Sequence, residues 1–488
     1  MPSFIRFVFG SRQNRLFFWI AIGLFLVEWI LFKIAYPFPD FFSDSYSYIE
    51  AARKHLDINI WPIGYSKFLI GFHAVTHSDT ALVSFQFIFL ELAALYFFFT
   101  LQYLYNPGKK TSIVIFIFLF CNPLFLYISN YVTADSLFCA ITVVWITELL
   151  WIMERPSAGR IIPQAVCIFI AYTFRYNAMY YPIITAVAYG LSKQKIWIKT
   201  VGIALPCLLI LIFLGYSRNA GEKLTGKPIY SILSGWQLAN NALYFYGMVQ
   251  VDSTKLPNKD CVKLDSITRL FFRRAKPGYM VFLAHHQGNY FIQDWGAPLK
   301  IYMTAHYKEN DLHAWGSVSL IYSTYGSYLI KTYPGAYLQY FVLMNARNYF
   351  IPPLEKLRTY NMGLDYVWGE VRDWFEYKSP DVRHPPSSFQ EQLLFVFCPL
   401  FLIINLFFPL SALWYLASGR YKKESQVFNK ALTLISCFWA INFLFSITAN
   451  IIALRYEFFP MILIFIFSIF LYEYVLTSPK QDHAVKIN

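Results

Sequence analysis

The sequence predicts an all-α protein that crosses a membrane many times. Hydrophobic residues make up 57% of the 488 residues and charged residues only 14%, whereas about a quarter of the residues in a soluble domain are charged. Apolar runs of roughly 20 residues, the length needed to cross a ~30 Å hydrocarbon layer, recur along the chain. The lysines and arginines, which give a formal net charge of +13, lie in short clusters between these runs. This pattern is typical of membrane topology signals and argues against a nucleic-acid partner.

The N-terminal membrane module, residues 1–216, is predicted to contain seven spans. Its basic start lacks the cleavage site of a signal peptide and is expected to stay in the cytoplasm. Residues 40–79 follow the first span, are too polar to cross, and are expected to form interfacial helices in an external loop. The predicted spans are Leu16–Tyr36, Thr80–Tyr105, Thr111–Ser129, Ser136–Met153, Ile161–Thr173, Tyr176–Leu191 and Thr200–Tyr216.

Residues 217–390 contain no uncharged run long enough to cross and are predicted to form a large, mainly α-helical external domain between spans seven and eight. Polar and charged residues interrupt its apolar piece Tyr333–Pro353, so we expect an amphipathic helix along the membrane, with a short tilted span as the alternative. Residues 391–488 are predicted to form a C-terminal module of three spans and a cytoplasmic tail. These spans are Leu393–Ala417, Val427–Ile447 and Phe458–Leu476.

The basic loops give an independent check on the count of about ten spans. With the start in the cytoplasm, ten crossings place every basic short loop and the C-terminal tail on the cytoplasmic side, as the positive-inside rule requires. These segments are NPGKK, ERPSAGR, SKQKIWIK, SGRYKKES and SPKQDHAVK. The same count places residues 40–79 and 217–390 outside. A further span at Tyr333–Pro353 would move SGRYKKES outside, which argues against it.

Acidic and basic residues collect at the external ends of the predicted spans. An arginine suits a phosphate because its planar guanidinium group can hold two oxygens, and an acid can take the proton of an attacking hydroxyl. Cations also stabilise the charge that grows on a leaving phosphate. Together these groups predict transfer of a sugar from a lipid-linked phosphate donor. The residues are Asp40, Asp44, Asp135, Arg175, Asn177, Arg455 and Tyr456.

Four segments resemble the GT-C glycosyltransferases, the class that holds protein O-mannosyltransferases and bacterial aminoarabinose transferases. DSYSYIEAA followed by WPIGYSKFLIG resembles their first external loop, and TADSLFCA resembles their second-loop segment, in which an acid opens the next span. FRYNAMYYPI is similar to their arginine-asparagine-proline segment, and ALRYEFFPMI to the Arg-Tyr and proline sequence near their last spans. The resemblance covers the spans well and the external domain poorly.

The resemblance implies a role for each acid of these segments. Asp44 would be the catalytic base or a metal-coordinating acid, with Asp40 second and Asp135 assisting. Asp44 is favoured because Tyr46 and Tyr48 downstream match the family pattern, and Tyr46 would contact the substrate. The first loop has no Asp-x-Asp or Glu-Asp pair, so a metal-free base mechanism without a cofactor is favoured.

The resemblance also implies the substrates. Arg175 and Arg455, with Tyr456, would bind the phosphate of a polyprenyl-phosphate sugar, and Asn177 would contact the substrate. The acceptor would be a membrane lipid, a glycan or a protein on the external face. The external domain has no Asn-x-Ser/Thr acceptor sequence, which is consistent with the inner membrane of a bacterium, with both termini in the cytoplasm.

Other interpretations stay open. An O-antigen ligase or polymerase would use polyprenyl-diphosphate glycans, and a lipid or sugar flippase would also be polytopic and basic, although transporters tend to show paired halves. A helix cap at Asp135 and snorkelling of Arg175 and Arg455 are the structural alternatives. No metal site is predicted from the external histidines, because they lack the His-x-x-x-His pattern with a flanking acid. They are His285, His286, His306 and His313.

Overall fold

The computed structural model describes residues 3–275, 288–308, 311–422 and 424–476. These residues form α-helices and short helical turns and no β-strand, which confirms the predicted all-α fold. The helices of the first half are α1 (Phe4–Gly10), α2 (Arg12–Ala35), α3 (Ser43–Arg53), α4 (Gly64–His73), α5 (Asp79–Tyr105), α6 (Lys109–Phe120), α7 (Pro123–Asn130), α8 (Asp135–Glu154), α9 (Ile161–Phe174), α10 (Tyr181–Leu191) and α11 (Ile196–Thr225).

The second half of the chain contains a run of helices outside the spans and then the last spans. The first group is α12 (Ile232–Tyr246), α13 (Lys259–Arg274), α14 (Tyr290–Gln293), α15 (Pro298–His306), α16 (Leu312–Thr332), α17 (Pro334–Tyr337), α18 (Leu343–Phe350) and α19 (Gly369–Trp374). The second group is α20 (Ser387–Phe395), α21 (Phe397–Ala417), α22 (Gln426–Ala449) and α23 (Leu454–Leu476).

Eight helical segments of the described chain are long and apolar enough to cross a membrane, so the protein is a multi-pass membrane protein. They are α2, α5, α6 with α7, α8, α11, α20 with α21, α22 and α23. The predicted fifth and sixth spans correspond to α9 and α10, which have only 14 and 11 residues. The count of ten therefore stays a prediction, and the C-terminal tail from residue 477 lies outside the described residues.

Two spans differ from their predicted form. The third is divided between α6 and α7, because Asn122 accepts a hydrogen bond from the backbone of Leu124 at 3.0 Å and Pro123 begins a new helix. The seventh lies within α11, which continues to Thr225, beyond the end of the apolar stretch that was predicted as the span. Gly226, with φ of 70°, ends this helix in the left-handed conformation that glycine adopts without steric cost.

The apolar piece at residues 333–353 is helical but is not among the eight spans. It comprises α17, a π-helical turn at Leu338–Val342 and α18. Asn345 donates hydrogen bonds to the carbonyl groups of Ile447 and Asn450, at 3.3 and 2.8 Å. These bonds attach the piece to the end of α22.

Helices α8 and α23 form the centre of the membrane bundle. In the most apolar stretches of α8 and α23, 89% and 83% of the residues are buried, whereas the share is 22% in each of α2 and α11. Exposed side chains such as Leu16 and Leu211 therefore give α2 and α11 the apolar outer faces that lipid requires. Asp135, in the first turn of α8, pairs with Arg455, in the first turn of α23, so the two central helices present their first turns at the same end of the bundle.

The segment between the spans has two packing environments. Buried side chains between Trp236 and Tyr349, together with Ile447 and Ile452 from the end of α22 and the turn after it, form a second hydrophobic core. Side chains between Leu354 and Val382 instead belong to the core of the membrane bundle. Tyr360, for example, donates a hydrogen bond to the carbonyl of Pro39 at 2.8 Å. The later part of this segment thus packs directly on the loop that follows the first span.

Candidate active site

Arg455, in the first turn of α23, is the central residue of a buried cluster of charges. Its Nη1 donates to Oδ2 of Asp44 and to Oδ2 of Asp135, both at 3.2 Å, and its Nε donates to Oε2 of Glu355 at 3.1 Å. Only 6% of the side chain is exposed. An unpaired charge would be costly at this depth, so the three carboxylates are what allow the guanidinium group to be buried.

Arg175 joins the same cluster through an ion pair between its Nη1 and Oδ1 of Asp135. The guanidinium groups of Arg175 and Arg455 lie 4.3 and 4.5 Å from the ring centre of Tyr456. Arg455 also donates to the hydroxyl of Tyr456 at 2.5 Å and lies over Phe42. Asp135 and the Tyr456 ring therefore hold two cations in fixed positions, through ion pairs and cation–π contacts.

Asp44 lies in the first turn of α3 and faces a cavity. The turn is held by a hydrogen bond from the Phe42 backbone to the Ser45 hydroxyl at 3.3 Å. Burial raises the pKa of Asp44, Arg455 opposes that rise, and the nearby Glu355 adds to it. A carboxylate whose pKa moves towards neutral pH is suited to act as a general base.

Asp40 lies outside the charge cluster. Its carboxylate accepts a hydrogen bond from the backbone of Asn361 at 2.8 Å, and its backbone pairs with that of Asn130 and Val132. Burial raises the pKa of Asp40 to about 8, although the hydrogen bond from the Asn361 backbone opposes the rise. No arginine or lysine of the described residues pairs with it. Asp40 thus joins three distant stretches of chain and keeps its proton at neutral pH.

Tyr46 and Asn177, the two residues predicted to contact the substrate, also lie apart from the cluster. The Tyr46 ring packs on Trp368 with 4.4 Å between ring centres, and its hydroxyl accepts from the Trp368 backbone at 3.3 Å. Asn177 is half-buried in the helical turn Tyr176–Tyr180. Within the described chain it makes no hydrogen bond to the arginines or acids of the cluster. Tyr46 therefore holds residues near 368 against α3.

A cavity of about 330 Å³ opens on the cluster. Asp44, Glu355 and Arg455 line it together with two lysines and two tryptophans. These are Lys300, Lys356, Trp61 and Trp315. Small-molecule sites typically have volumes of about 300–1,000 Å³ and combine aromatic walls with a few placed polar groups. The cavity therefore has the size and lining of a small-molecule site, with the charge cluster in its wall.

Glu355 and Lys356 were missed in the sequence analysis. Glu355 has φ of 50°, in the left-handed region that non-glycine residues seldom adopt, and such strain is often found at functional sites. The Leu454 backbone donates to the carbonyl of Pro353 at 2.9 Å, which brings Glu355 to Arg455. The acid and lysine that follow Leu354, just after the Pro352–Pro353 pair, were the only available signal, and nothing local to them indicates this contact.

A metal site is not formed by the groups in the cluster. Its three carboxylates are each engaged by Arg455, and the described chain contains no group of three or more His, Cys, Asp or Glu residues that could hold a metal ion. His306 and His313 belong to that part of the chain. His285 and His286 lie outside the described residues.

Comparison with known proteins does not identify a family. No protein-family model matches the chain, and neither a curated protein nor a solved structure matches it. The chemistry of the charge cluster and its cavity is therefore the basis for assigning a function.

Proposed function

We propose that the protein is a membrane-embedded glycosyltransferase of the GT-C type. It moves a sugar from a polyprenyl-phosphate donor to a hydroxyl group of a lipid, glycan or protein on the external face of the membrane. The proposed location is the inner membrane of a bacterium, with both termini in the cytoplasm. The observation that carries this proposal is the ion pair between Asp44, which lines a cavity, and Arg455. Asp135 links Arg455 to a second arginine, Arg175.

Asp44 is the proposed base. As the acceptor oxygen attacks the anomeric carbon of the donor sugar, Asp44 takes the hydroxyl proton. The bond between that carbon and the phosphate oxygen breaks, and its electron pair stays on the departing polyprenyl phosphate. The raised pKa of Asp44, which is due mainly to burial, makes the carboxylate a stronger base than an exposed aspartate.

Arg455 couples the base to the leaving group. In the resting protein its Nη1 is shared between Asp44 and Asp135. When Asp44 becomes protonated, its ion pair with Arg455 weakens, and Nη1 can then pair with the phosphate on which negative charge is growing. Asp135 positions both arginines, because one of its oxygens faces Arg175 and the other faces Arg455.

The roles of the two loop acids differ in this proposal. Asp44 faces the cavity, whereas Asp40 is 2% exposed and bonded to the Asn361 backbone. Asp40 is therefore a positioning residue that fixes the start of the loop. Because Arg455 already engages all three carboxylates of the cluster, we favour a base mechanism over metal coordination by these acids.

Product analysis tests the function. Purified protein in liposomes is supplied with a polyprenyl-phosphate sugar labelled in the sugar and with a mixture of membrane glycolipids. We expect labelled glycolipid and an equal amount of free polyprenyl phosphate. In a parallel assay with polyprenyl-diphosphate glycans as donors, release of polyprenyl diphosphate would favour a ligase or polymerase. Movement of the donor across the bilayer without sugar transfer would contradict the enzyme assignment.

A further inference from the structure

Lys300, in the first turn of α15, is a buried cation at the same cavity. The residue is 4% exposed and lines the cavity. Its Nζ lies 3.8 Å from the ring centre of Trp315, 4.6 Å from that of Trp295 and 5.3 Å from that of Trp236. Among the described residues, no carboxylate lies within ion-pair distance of Lys300 and none accepts a hydrogen bond from it. This setting contrasts with that of Arg455, which has three carboxylate partners.

The tryptophan rings satisfy only part of what a buried ammonium group needs. Their faces attract the positive charge, but an ammonium group also has three N–H donors, and buried donors without acceptors are costly. Burial lowers the pKa of Lys300 to about 8, so most of the group is still charged at pH 7. An anion in the cavity would supply the missing acceptors and the missing negative charge.

Other groups that line the cavity suit a sugar. Trp315 and Trp61 give the cavity aromatic surfaces, on which sugar rings can pack through their apolar faces. Oδ1 of Asn289, another lining residue, is buried and has no hydrogen-bond partner within the described chain. It is therefore an open acceptor for a substrate hydroxyl.

We propose that Lys300 binds an anionic group of the acceptor, a phosphate or a carboxylate, so that the acceptor is an anionic saccharide or glycolipid. This inference rests on the proposed glycosyltransferase function. The donor phosphate has to lie at the reacting carbon, beside Asp44 and the arginines of the membrane bundle. Lys300 lies instead on α15, whose buried residues Leu299, Tyr302 and Met303 belong to the second hydrophobic core, that of the segment between the spans. The anion that it binds is therefore assigned to the second substrate.

Three forms of one acceptor test the inference. They are an acylated glucosamine disaccharide with a phosphate monoester, the same lipid with a uronic acid in place of the phosphorylated sugar, and the lipid after phosphatase treatment. A charge-assisted hydrogen bond to Lys300 would lower the acceptor KM of an anionic form by about 10- to 100-fold relative to the neutral form. We expect Lys300→Gln to abolish this preference and to leave the donor KM unchanged, and Lys300→Arg to retain part of it.

Lys263→Gln is the matched control, because Lys263 lies on α13, is exposed, and pairs with Asp260 at 3.2 Å. We expect this variant to behave like the wild type. Thermal unfolding of each variant shows whether the protein is folded. The inference is wrong if the wild type does not distinguish anionic from neutral acceptors, or if Lys300→Gln raises the donor KM and not that of the acceptor.

Binding without turnover separates this inference from the proposed function. Glucose 6-phosphate and glucose are titrated into the protein without donor, with the fluorescence of the three tryptophans around Lys300 as the signal. We expect quenching by the phosphate ester only, and loss of quenching in Lys300→Gln. If this dependence on Lys300 is found but no acceptor receives sugar, the anion site stands and the proposed function fails. Equal responses of wild type and Lys300→Gln would refute the anion site itself.

Discussion

Replacement of Asp135 by asparagine removes the carboxylate that joins the two arginines. Asp135 is 6% exposed, and its two oxygens contact Arg175 and Arg455. Loss of one partner of a buried ion pair costs about 3–5 kcal/mol. We expect the lower end, about 3 kcal/mol, because the asparagine oxygen still accepts a hydrogen bond and Arg455 keeps two other carboxylates. For a chain of this length the melting temperature should fall by roughly 3–6 °C.

The buried thiol of Cys139, one helical turn beyond Asp135 in α8, reports this unfolding. The assay is a thermal ramp in detergent with a dye that fluoresces on reaction with thiols, after the exposed Cys121 has been blocked. Asp260→Asn is the control, because its ion pair with Lys263 is exposed and should contribute no measurable stability. If Asp135→Asn melts at the wild-type temperature, Asp135 does not hold the arginines in the way described.

Two further substitutions separate the roles of the neighbouring residues. Asp40→Asn should keep sugar transfer within a few-fold of the wild type, because burial raises the pKa of Asp40 to about 8 and asparagine resembles its protonated form. The stabilisation that this raised pKa gives is complete below about pH 4, the pKa of an aspartate in the unfolded chain, and is lost as the pH rises to 8. The melting temperature of the wild type should therefore fall relative to that of Asp40→Asn between pH 5 and 8. Parallel plots of melting temperature against pH for the two proteins would contradict this. Arg455→Lys should lower the transfer rate by at least 100-fold, because an ammonium group cannot reproduce the guanidinium fork that contacts Asp44, Asp135 and Glu355. A rate near that of the wild type would show that a point charge is sufficient.

Most of the membrane architecture could be predicted from the sequence because each long span is a local property of composition. The exceptions have physical causes. In α9 and α10, helices of 14 and 11 residues, composition indicates apolar runs but does not give the depth at which the chain turns. The continuation of α11 to Thr225 was missed because a helix that leaves the apolar layer can continue through polar residues.

The candidate site could be predicted only as far as topology determines it. The order of spans put Asp44, Asp135, Arg175 and Arg455 on one side of the membrane, and the structure brings these four into one cluster. The order of spans could not distinguish Asp40 from Asp44, since both follow the first span. That distinction depends on a hydrogen bond from Asn361, which lies 321 residues later in the chain.

Glu355, Lys356 and Lys300 could not be predicted for the same reason. They lie in the segment between the spans, where neither apolar periodicity nor the family resemblance applies. Glu355 reaches the cluster because the backbone of Leu454 bonds to Pro353. The three tryptophans around Lys300 come from separate stretches of chain. Such contacts are set by tertiary packing.

The single-turnover rate of sugar transfer in Asp44→Asn tests the proposed role of Asp44 most directly. Enzyme in excess over a labelled polyprenyl-phosphate sugar is mixed with acceptor, and donor binding is measured separately. Loss of a general base lowers a rate by about 10²- to 10⁴-fold, so we predict a fall of that size with donor affinity little changed, while Asp40→Asn stays near the wild type. Asp44→Asn also removes one ion pair of Arg455, so its melting temperature should fall by no more than that of Asp135→Asn. Transfer by Asp44→Asn at the wild-type rate, or equal losses in both variants, would contradict the assignment of Asp44 as the base.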